Sequence, residues 1–566
     1  MKYRIERSSD GGWSMPVWKR GSALLSDPLF NKGTAFTREE RQVFHLDAML
    51  PYQPTDRDHQ MRRAFEHLKD RGDNPLEEYV SMSGLMDRNE TLFYQVLAGD
   101  VERLIPIVYT PTVGAAAMSY SHVFRRGRGL WITPDHRGRI FEVLDHARSE
   151  EVKLIVVTDN ERILGLGDQG AGGMVIPIGK LALYTLGAGI HPAYTLPISL
   201  DVGTDNETLL NDDMYVGWRQ PRLRGEEYYA LVDEFVDAIR RRWPKVLLQW
   251  EDFKKANAFT VLDRYRHTLP SFNDDIQGTG SVVVAGILAA CRVTGTKLAD
   301  QRILLAGSGA AGTGIARHLR HELESYGVSG EELFRAVIPF DVAGVVTLDQ
   351  IEMDAQKDTA WPAELAHTLG LDNESGLLDV VKALHPTVLI GTTGQPGLFS
   401  EEVVREMATH VDRPVIMALS NPTSKTEALP EDVFRWTEGR GLMSTGSPFT
   451  PVEYNGRQLH VSQGNNIYIF PGLGLGSIIS GAREVTNGML AAAAHALADL
   501  VSEEGLEMGV LYPPIGEIRA ISRVIGRAVA IEACDQGVGK ELTCDEIDAA
   551  LDYEIWDLNY PTLRPV

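Results

Sequence analysis

The chain has 566 residues, 55 Lys and Arg against 78 Asp and Glu for a formal charge of −23, and 43% hydrophobic residues, a globular balance far beyond any small binding module. The acidic excess repels phosphate backbones and no basic run exceeds Arg240-Arg241-Arg242, so no nucleic-acid partner is expected. Three scattered cysteines, Cys291, Cys534 and Cys544, exclude a disulfide framework or a zinc site and fit a reducing compartment.

The N-terminus, MKYRIERSSDGGW, has charge but no apolar stretch after it, so no secretory signal is read and the cytoplasm is the expected location. To about residue 125 the pattern is helical. Thr37-Arg38-Glu39-Glu40 forms a capping box before Phe44, and Arg62 to Lys69 and Asn89 to Leu97 have helical composition. Tyr109 reads as the end of a short apolar strand beside the Pro111 turn, where a tyrosine either packs or offers its hydroxyl as a proton donor.

An α/β alternation begins at Lys153 to Thr158, a β-branched strand ending in the Asp159-Asn160 turn. Arg162 follows, a fork for a substrate carboxylate or a surface arginine. Lys180 is the only charged side chain between Gly170 and Ile190. Desolvation lowers a lysine pKa and favours a base, whereas snorkelling keeps the ammonium in water, and both readings stand. Tyr228, Leu231, Val232, Phe235 and Ile239 repeat at helical spacing before a buried strand at Val246-Leu247-Leu248.

Two acidic pairs follow. Glu251 and Asp252 come after that strand, and Asp274 and Asp275 come after Ser271-Phe272-Asn273, ahead of a helix near Ser281. Adjacent side chains diverge on a regular strand, so a pair shares one ion only where the strand breaks into a turn; oxygen ligands suit Mg²⁺ or Mn²⁺. Solvated turns or helix caps are the alternative. The longest apolar runs, such as Ser281 to Cys291, fall short of the roughly 18–20 residues of a membrane span, so no membrane partner is expected.

From about 279 to 464, apolar strands at Ile303 to Ala306, Ala336 to Phe340, Thr387 to Ile390 and Val415 to Leu419 alternate with helical stretches, the rhythm of a parallel, doubly wound sheet. Gly307-Ser-Gly309-Ala-Ala-Gly312 lies between the first of these strands and a helix at Ile315 to Tyr326, the context of a pyrophosphate turn; Gly165-Leu-Gly167-Asp-Gln-Gly170 lacks it. Asp341 ends the next strand, placed for ribose hydroxyls, although 29 residues past Gly312 is a long spacing and Pro339 is awkward in a central strand. Asn421 and the pair Asn465-Asn466 offer amides beside turns. Beyond Asn465 the chain is mostly helical, at Met489 to Val501 and Ile515 to Ala533.

These segments together resemble the malic enzyme family, nearest its bacterial NAD-dependent members. The likeness rests on Asn31-Lys-Gly-Thr-Ala-Phe36, Tyr109-Thr-Pro-Thr-Val-Gly114, Glu161-Arg-Ile-Leu-Gly-Leu-Gly-Asp168, Glu251-Asp-Phe253, Phe272-Asn-Asp-Asp-Ile-Gln-Gly-Thr279, Leu419-Ser-Asn-Pro-Thr423 and Gln463-Gly-Asn-Asn466. The resemblance implies an α/β fold with a helical N-terminal domain at 1–125, a split α/β substrate domain at 126–278 and 465–540, an inserted Rossmann-like doubly wound sheet at 279–464, and a tail at 541–566. Carried over position by position, it implies Glu251, Asp252 and Asp275 as ligands of Mg²⁺ or Mn²⁺. Lys180 would be the base with Asp274 beside it, and Tyr109 the acid. Arg162, Asn421 and Asn465 or Asn466 would hold malate and the nicotinamide half, Gly307, Gly309 and Gly312 the pyrophosphate of NAD, and Arg162, Asp275, Asp341 and Asn421 further parts of the cofactor.

The implied reaction is the NAD-dependent oxidative decarboxylation of (S)-malate to pyruvate, with oxaloacetate decarboxylation as a further capacity, in a homodimer or homotetramer. Some family members bind a dicarboxylate activator near the positions of Arg63 and Arg88. Asn160 in place of glycine, Gly280 in place of alanine and Thr392-Thr393-Gly394 depart from the family pattern without removing a catalytic group. A malolactic activity, releasing lactate, and a non-catalytic nucleotide-binding regulator are the rival expectations.

Overall fold

The computed structural model describes residues 2–7, 11–69, 74–163, 165–371 and 374–566. Part of the N-terminal stretch read for a signal, and Leu164 within the 161–168 segment, lie outside them. The chain divides into two compact units, residues 1–253 with 543–566, and residues 254–542. This division differs from the four expected segments: 1–125 and 126–253 share a unit, and 465–540 fall with 279–464. The helices Phe470–Ser480, Asn487–Asp499 and Ile518–Asp535 pack on one another, and Asn487–Asp499 also packs on Thr279–Thr294.

In the first unit, parallel strands run in the order Leu130–Ile132, Thr195–Leu200, Leu154–Thr158, Leu247–Trp250. Leu154–Thr158 is buried along its whole length, which explains its unbroken apolar sequence. The turn after it is pinned by Asp159, which accepts from the Tyr228 hydroxyl at 2.7 Å and the Glu161 amide at 3.1 Å. Burial raises the Asp159 carboxyl above its usual value despite the opposing charge of Arg222. Trp13–Val17 lies between Glu6–Arg7 and Thr562–Pro565, so residues far apart in sequence share one small sheet.

Tyr109 corrects one expectation. It caps the helix Val101–Val108 rather than ending a strand, because Leu104, Ile105, Ile107 and Val108 are buried at helical spacing across Pro106.

His191 is buried against Trp13 and Trp556, with ring centroids 5.7 and 4.6 Å away, and its Nδ1 accepts from the Ala193 amide. Burial pushes the ring down to about 3. The unfolded chain, titrating near 6.5, binds this proton first, so stability from His191 is present above about pH 6.5 and falls by about 1.4 kcal/mol per pH unit below it. His191→Asn keeps an acceptor without titrating, and the Tm loss between pH 7 and 5 should shrink; an unchanged loss measured by calorimetry would reject His191 as its source.

In the second unit, seven strands run in the order Gly344–Val345, Val337–Asp341, Ile303–Ala306, Val388–Gly391, Val415–Ala418, Leu442–Thr445, Val461–Gln463. All neighbours are parallel except the first pair. Strand order reverses between Ile303–Ala306 and Val388–Gly391, the switch point where such sheets open a crevice. The awkward Pro339 is accommodated: its carbonyl accepts from the Val346 amide at 2.8 Å, while the Val346 carbonyl takes the Trp361 amide at 2.9 Å in place of the donor proline lacks.

Two stretches, Gly170–Ala188 and Asp274–Thr294, have the length and hydropathy of a membrane span, but 94% and 78% of them is buried in the fold. Their apolarity is that of core helices.

Candidate active site

In the first unit, the helix Val175–Ala188 brings Lys180 to the end of the Leu247–Trp250 strand. Its Nζ lies 3.1 Å from Glu251 Oε1, with both side chains only 3% exposed, and 5.3 Å from the centre of the Tyr109 ring. Lys180 is therefore a buried, paired cation and does not snorkel. Next to Glu251, Asp252 is buried and has φ +57°, so the strand breaks there, as a shared ion requires. The Arg162 amide donates to the Asp252 carbonyl at 3.1 Å, and the Arg162 side chain is exposed.

Two further residues complete this cluster. Gln249 Nε2 donates to Glu251 Oε2 at 2.7 Å, and the Tyr184 hydroxyl donates to Gln249 Oε1. Gln249 and Glu251 are two apart and project to the same side, a period-two signal that a lone amide in a buried strand already carried. In the same unit, Arg63 and Arg88 line a separate cavity of about 640 Å³, and Arg63 donates to Thr34 Oγ1 and Thr55 Oγ1.

In the second unit, the predicted helix near Ser281 is Thr279–Thr294, preceded by a single π turn, Asp274–Gly278. Asn273 Oδ1 accepts from the Ile276 amide at 3.0 Å and starts that turn. Asp274 is fully buried and Asp275 partly so. Asn466 Nδ2 lies 3.0 Å from the Asp274 carbonyl, Asp274 Oδ2 and Thr279 Oγ1. Asn465 turns the other way, its Oδ1 accepting from the Ile467 amide. Asn421 is exposed and accepts from Ser447 Oγ at 2.6 Å.

At the switch point, Gly307 has φ +104°, and a Cβ there would meet Thr392 Oγ1 at 2.7 Å. A Cβ on Gly312 would stand 1.8 Å from the Gly307 carbonyl oxygen, so neither position admits a side chain. Gly309 starts the helix Ala310–Ser325 with no side-chain cap, which leaves the helix start to an anion. Asp341 Oδ2 accepts from the Ser308 amide at 2.8 Å and from its hydroxyl. Burial opposes the charge on Asp341, but these bonds and the Val342 amide outweigh it and hold the carboxyl below its usual range. The Thr392-Thr393-Gly394 loop is tied by buried Glu427, which accepts from the Thr393 amide at 2.8 Å and from Ser420 Oγ at 2.5 Å. No local sequence signal marks Glu427, because its partners are 7 and 34 residues away.

A doubly wound sheet with a phosphate-ready glycine turn in one unit, and a buried lysine–carboxylate–tyrosine cluster in the other, define a dinucleotide-dependent α/β enzyme. Residues 86–266 match the family model for the malic enzyme N-terminal domain, and residues 276–534 match that for the malic enzyme NAD binding domain. The chain belongs to the malic enzyme family. It is 48% identical over 547 residues to an NAD-dependent malic enzyme of Pectobacterium atrosepticum, covering 96% of each chain, and 47% identical, again over 96% of each, to one of Sodalis glossinidius. Among solved structures, the Entamoeba histolytica malic enzyme is similar in fold, with a TM-score of 0.56, 22% identity, and 83% of this chain and 87% of that one covered.

Proposed function

We propose that this chain catalyses the NAD-dependent oxidative decarboxylation of (S)-malate to pyruvate and CO₂. The observation that carries it is 48% identity, over 96% of both chains, to an NAD-dependent malic enzyme. The Lys180–Glu251 pair beside Tyr109 supports the reading with an acid–base set.

Bound NAD supplies the hydride acceptor, and a divalent ion supplies electrophilic stabilisation of the negative charge that develops at the substrate C2 oxygen. Glu251, Asp252 and Asp275 would hold the ion; their donors are all carboxylate oxygens, which suits Mg²⁺ or Mn²⁺. Gly307, Gly309 and Gly312 would hold the pyrophosphate, and Asp341 the adenosine ribose. Arg162 pairs with a malate carboxylate, while Asn421 and Asn465 or Asn466 orient malate and the nicotinamide; Arg162, Asp275 and Asn421 also reach the cofactor.

Lys180 takes the proton of the C2 hydroxyl as hydride leaves C2, which requires that its ammonium first give up a proton and release Glu251. Asp274 assists Lys180. After CO₂ is lost, Tyr109 delivers a proton to C3 and completes pyruvate. Gln249 fixes the Glu251 carboxylate on one side while Lys180 takes the other.

We also keep a finer segmentation, with 126–278 and 465–540 forming the substrate domain around 279–464, a homodimer or homotetramer as the assembly, and the cytoplasm as its location. The family's dicarboxylate activator would occupy the cavity at Arg63 and Arg88.

Incubation with malate, NAD and Mn²⁺ should give NADH and pyruvate in equal amounts. Lactate without net NADH would identify a malolactic enzyme instead, and no turnover would leave a nucleotide-binding regulator. Asp341 should favour NAD, because its ionised carboxylate repels a 2′-phosphate. A kcat/KM for NADP at or above that for NAD would refute this role.

A further inference from the structure

The second unit contains a cavity of about 520 Å³ that none of the roles above uses. One wall is a stripe of the Ala310–Ser325 helix, where Gly314, Arg317, His318 and His321 recur at i, i+3, i+4 and i+7. Gly307, Gly309 and Gly312 do not line it.

Arg320, also on this wall, is 7% exposed and makes no ion pair among the described residues. Its one hydrogen bond among the described residues runs from Nη1 to the Asp358 carbonyl at 2.5 Å, and its Nε is buried with no partner. The guanidinium sits 4.3 Å from the centre of the Phe334 ring. Burial lowers the Arg320 pKa and outweighs the opposing pull of Glu324 and Asp358, two carboxylates that also line the cavity. A buried guanidinium with a donor left unsatisfied is costly, and an oxyanion offering several acceptors removes that cost.

Two neighbours also hold a buried nitrogen without a hydrogen-bond partner. Arg317 pairs with Asp358 at 2.9 Å through Nη2, but its Nε is buried and unpartnered. His318 is 7% exposed, and its Nε2 has no partner. Arg266, further along the lining, donates to Asn487 Oδ1 over a long 3.3 Å. The volume falls in the range of about 300–1,000 Å³ that holds small organic ligands and far exceeds a bare phosphate. Phe334, Leu348 and Leu490 provide apolar surface for the body of such a molecule.

We propose that this cavity binds a small organic oxyanion, a phosphate monoester or carboxylate on an apolar body, with the anionic group on Arg320 and Arg317 and the body against Phe334 and Leu348. The site is distinct from the glycine turn, although both use the same helix. Ile276 and Gln277 also line it, and Gln277 Oε1 accepts from the Asn273 amide at 2.9 Å. A ligand there touches the π turn that carries Asp274 and Asp275.

The test is calorimetric titration of the full chain with phenyl phosphate, benzoate and inorganic phosphate, at an NAD concentration that a separate titration defines as saturating. Phenyl phosphate should bind with NAD present, and more tightly than inorganic phosphate. Arg320→Met and Arg317→Gln should each weaken it about tenfold or more, the loss expected for one charge-assisted bond. Arg317 is 26% exposed, so its variant remains informative if Arg320→Met does not fold. Tighter benzoate binding with the same two losses would assign a carboxylate as the ligand group. No heat with any of the three, displacement by NAD, or unchanged affinity in Arg317→Gln would overturn the proposal. The titration needs no turnover, so its failure is separate from failure of the proposed reaction.

Discussion

Lys180→Ala is expected to lower kcat about 10²–10⁴-fold, the usual contribution of a positioned general base. The substitution removes the group that takes the C2 hydroxyl proton, so hydride transfer becomes slower and deuterium at C2 of malate should show a larger isotope effect. It also strips Glu251 of its ammonium partner in a site where both side chains are 3% exposed. A buried carboxylate that loses its counter-charge costs stability, so activity must be compared at equal folded fraction. Tyr109→Phe tests the complementary step, because it deletes only the phenolic proton and keeps the ring. It should cripple exchange of pyruvate methyl protons with solvent while malate and NAD still bind. The two losses need not add, since both groups serve one reaction. Should Tyr109→Phe exchange pyruvate protons at the parent rate while Lys180→Ala does not, the assigned roles are reversed.

Asp275→Asn should raise the Mn²⁺ concentration needed for half-maximal activity by about 100-fold or more, because even residues that only support metal ligands change affinity about 10–100-fold. The substitution keeps size and removes one negative charge from an oxygen-only donor set. Removal of metal with EDTA should abolish turnover in the parent enzyme. A thermal melt followed by circular dichroism, unchanged from the parent, provides a check that the variant is folded. Full activity in EDTA, or an Asp275→Asn variant with the parent's metal requirement, would remove Asp275 from the metal site.

The parts of this architecture with a long local signal were readable from sequence. The Thr37 capping box is present, with Glu40 bonded back to the Thr37 amide. The strand and glycine-turn rhythm from Ile303 onward became a doubly wound sheet. Lys180 stood out because a single charge in a long apolar stretch must be either solvated or paired, and the structure pairs it with Glu251. A strand ending at Tyr109 is the natural reading of the sequence because Pro106 separates Ile107 and Val108 from Leu104 and Ile105, and two apolar residues are too few to tell a period of 2 from one of 3.6. Glu427 has no local signal, and Gln249 only the two-residue spacing to Glu251. Glu427 meets partners 7 and 34 residues away, and Gln249, although two residues from Glu251, takes its other bond from Tyr184, 65 residues away.

The small sheet that joins Trp13–Val17 to Thr562–Pro565 has a consequence for the order of events during synthesis. The second unit is a single continuous stretch, residues 254–542, and can collapse as soon as that stretch has left the ribosome. The first unit has to wait, because residues 543–566 belong to it and are made after the entire second unit. At about 5–20 residues per second, its first 253 residues remain incomplete for tens of seconds. Through that interval the Trp13–Val17 strand lacks its partner and presents an open edge, the kind of surface that chaperones cover and that misassembles when they do not.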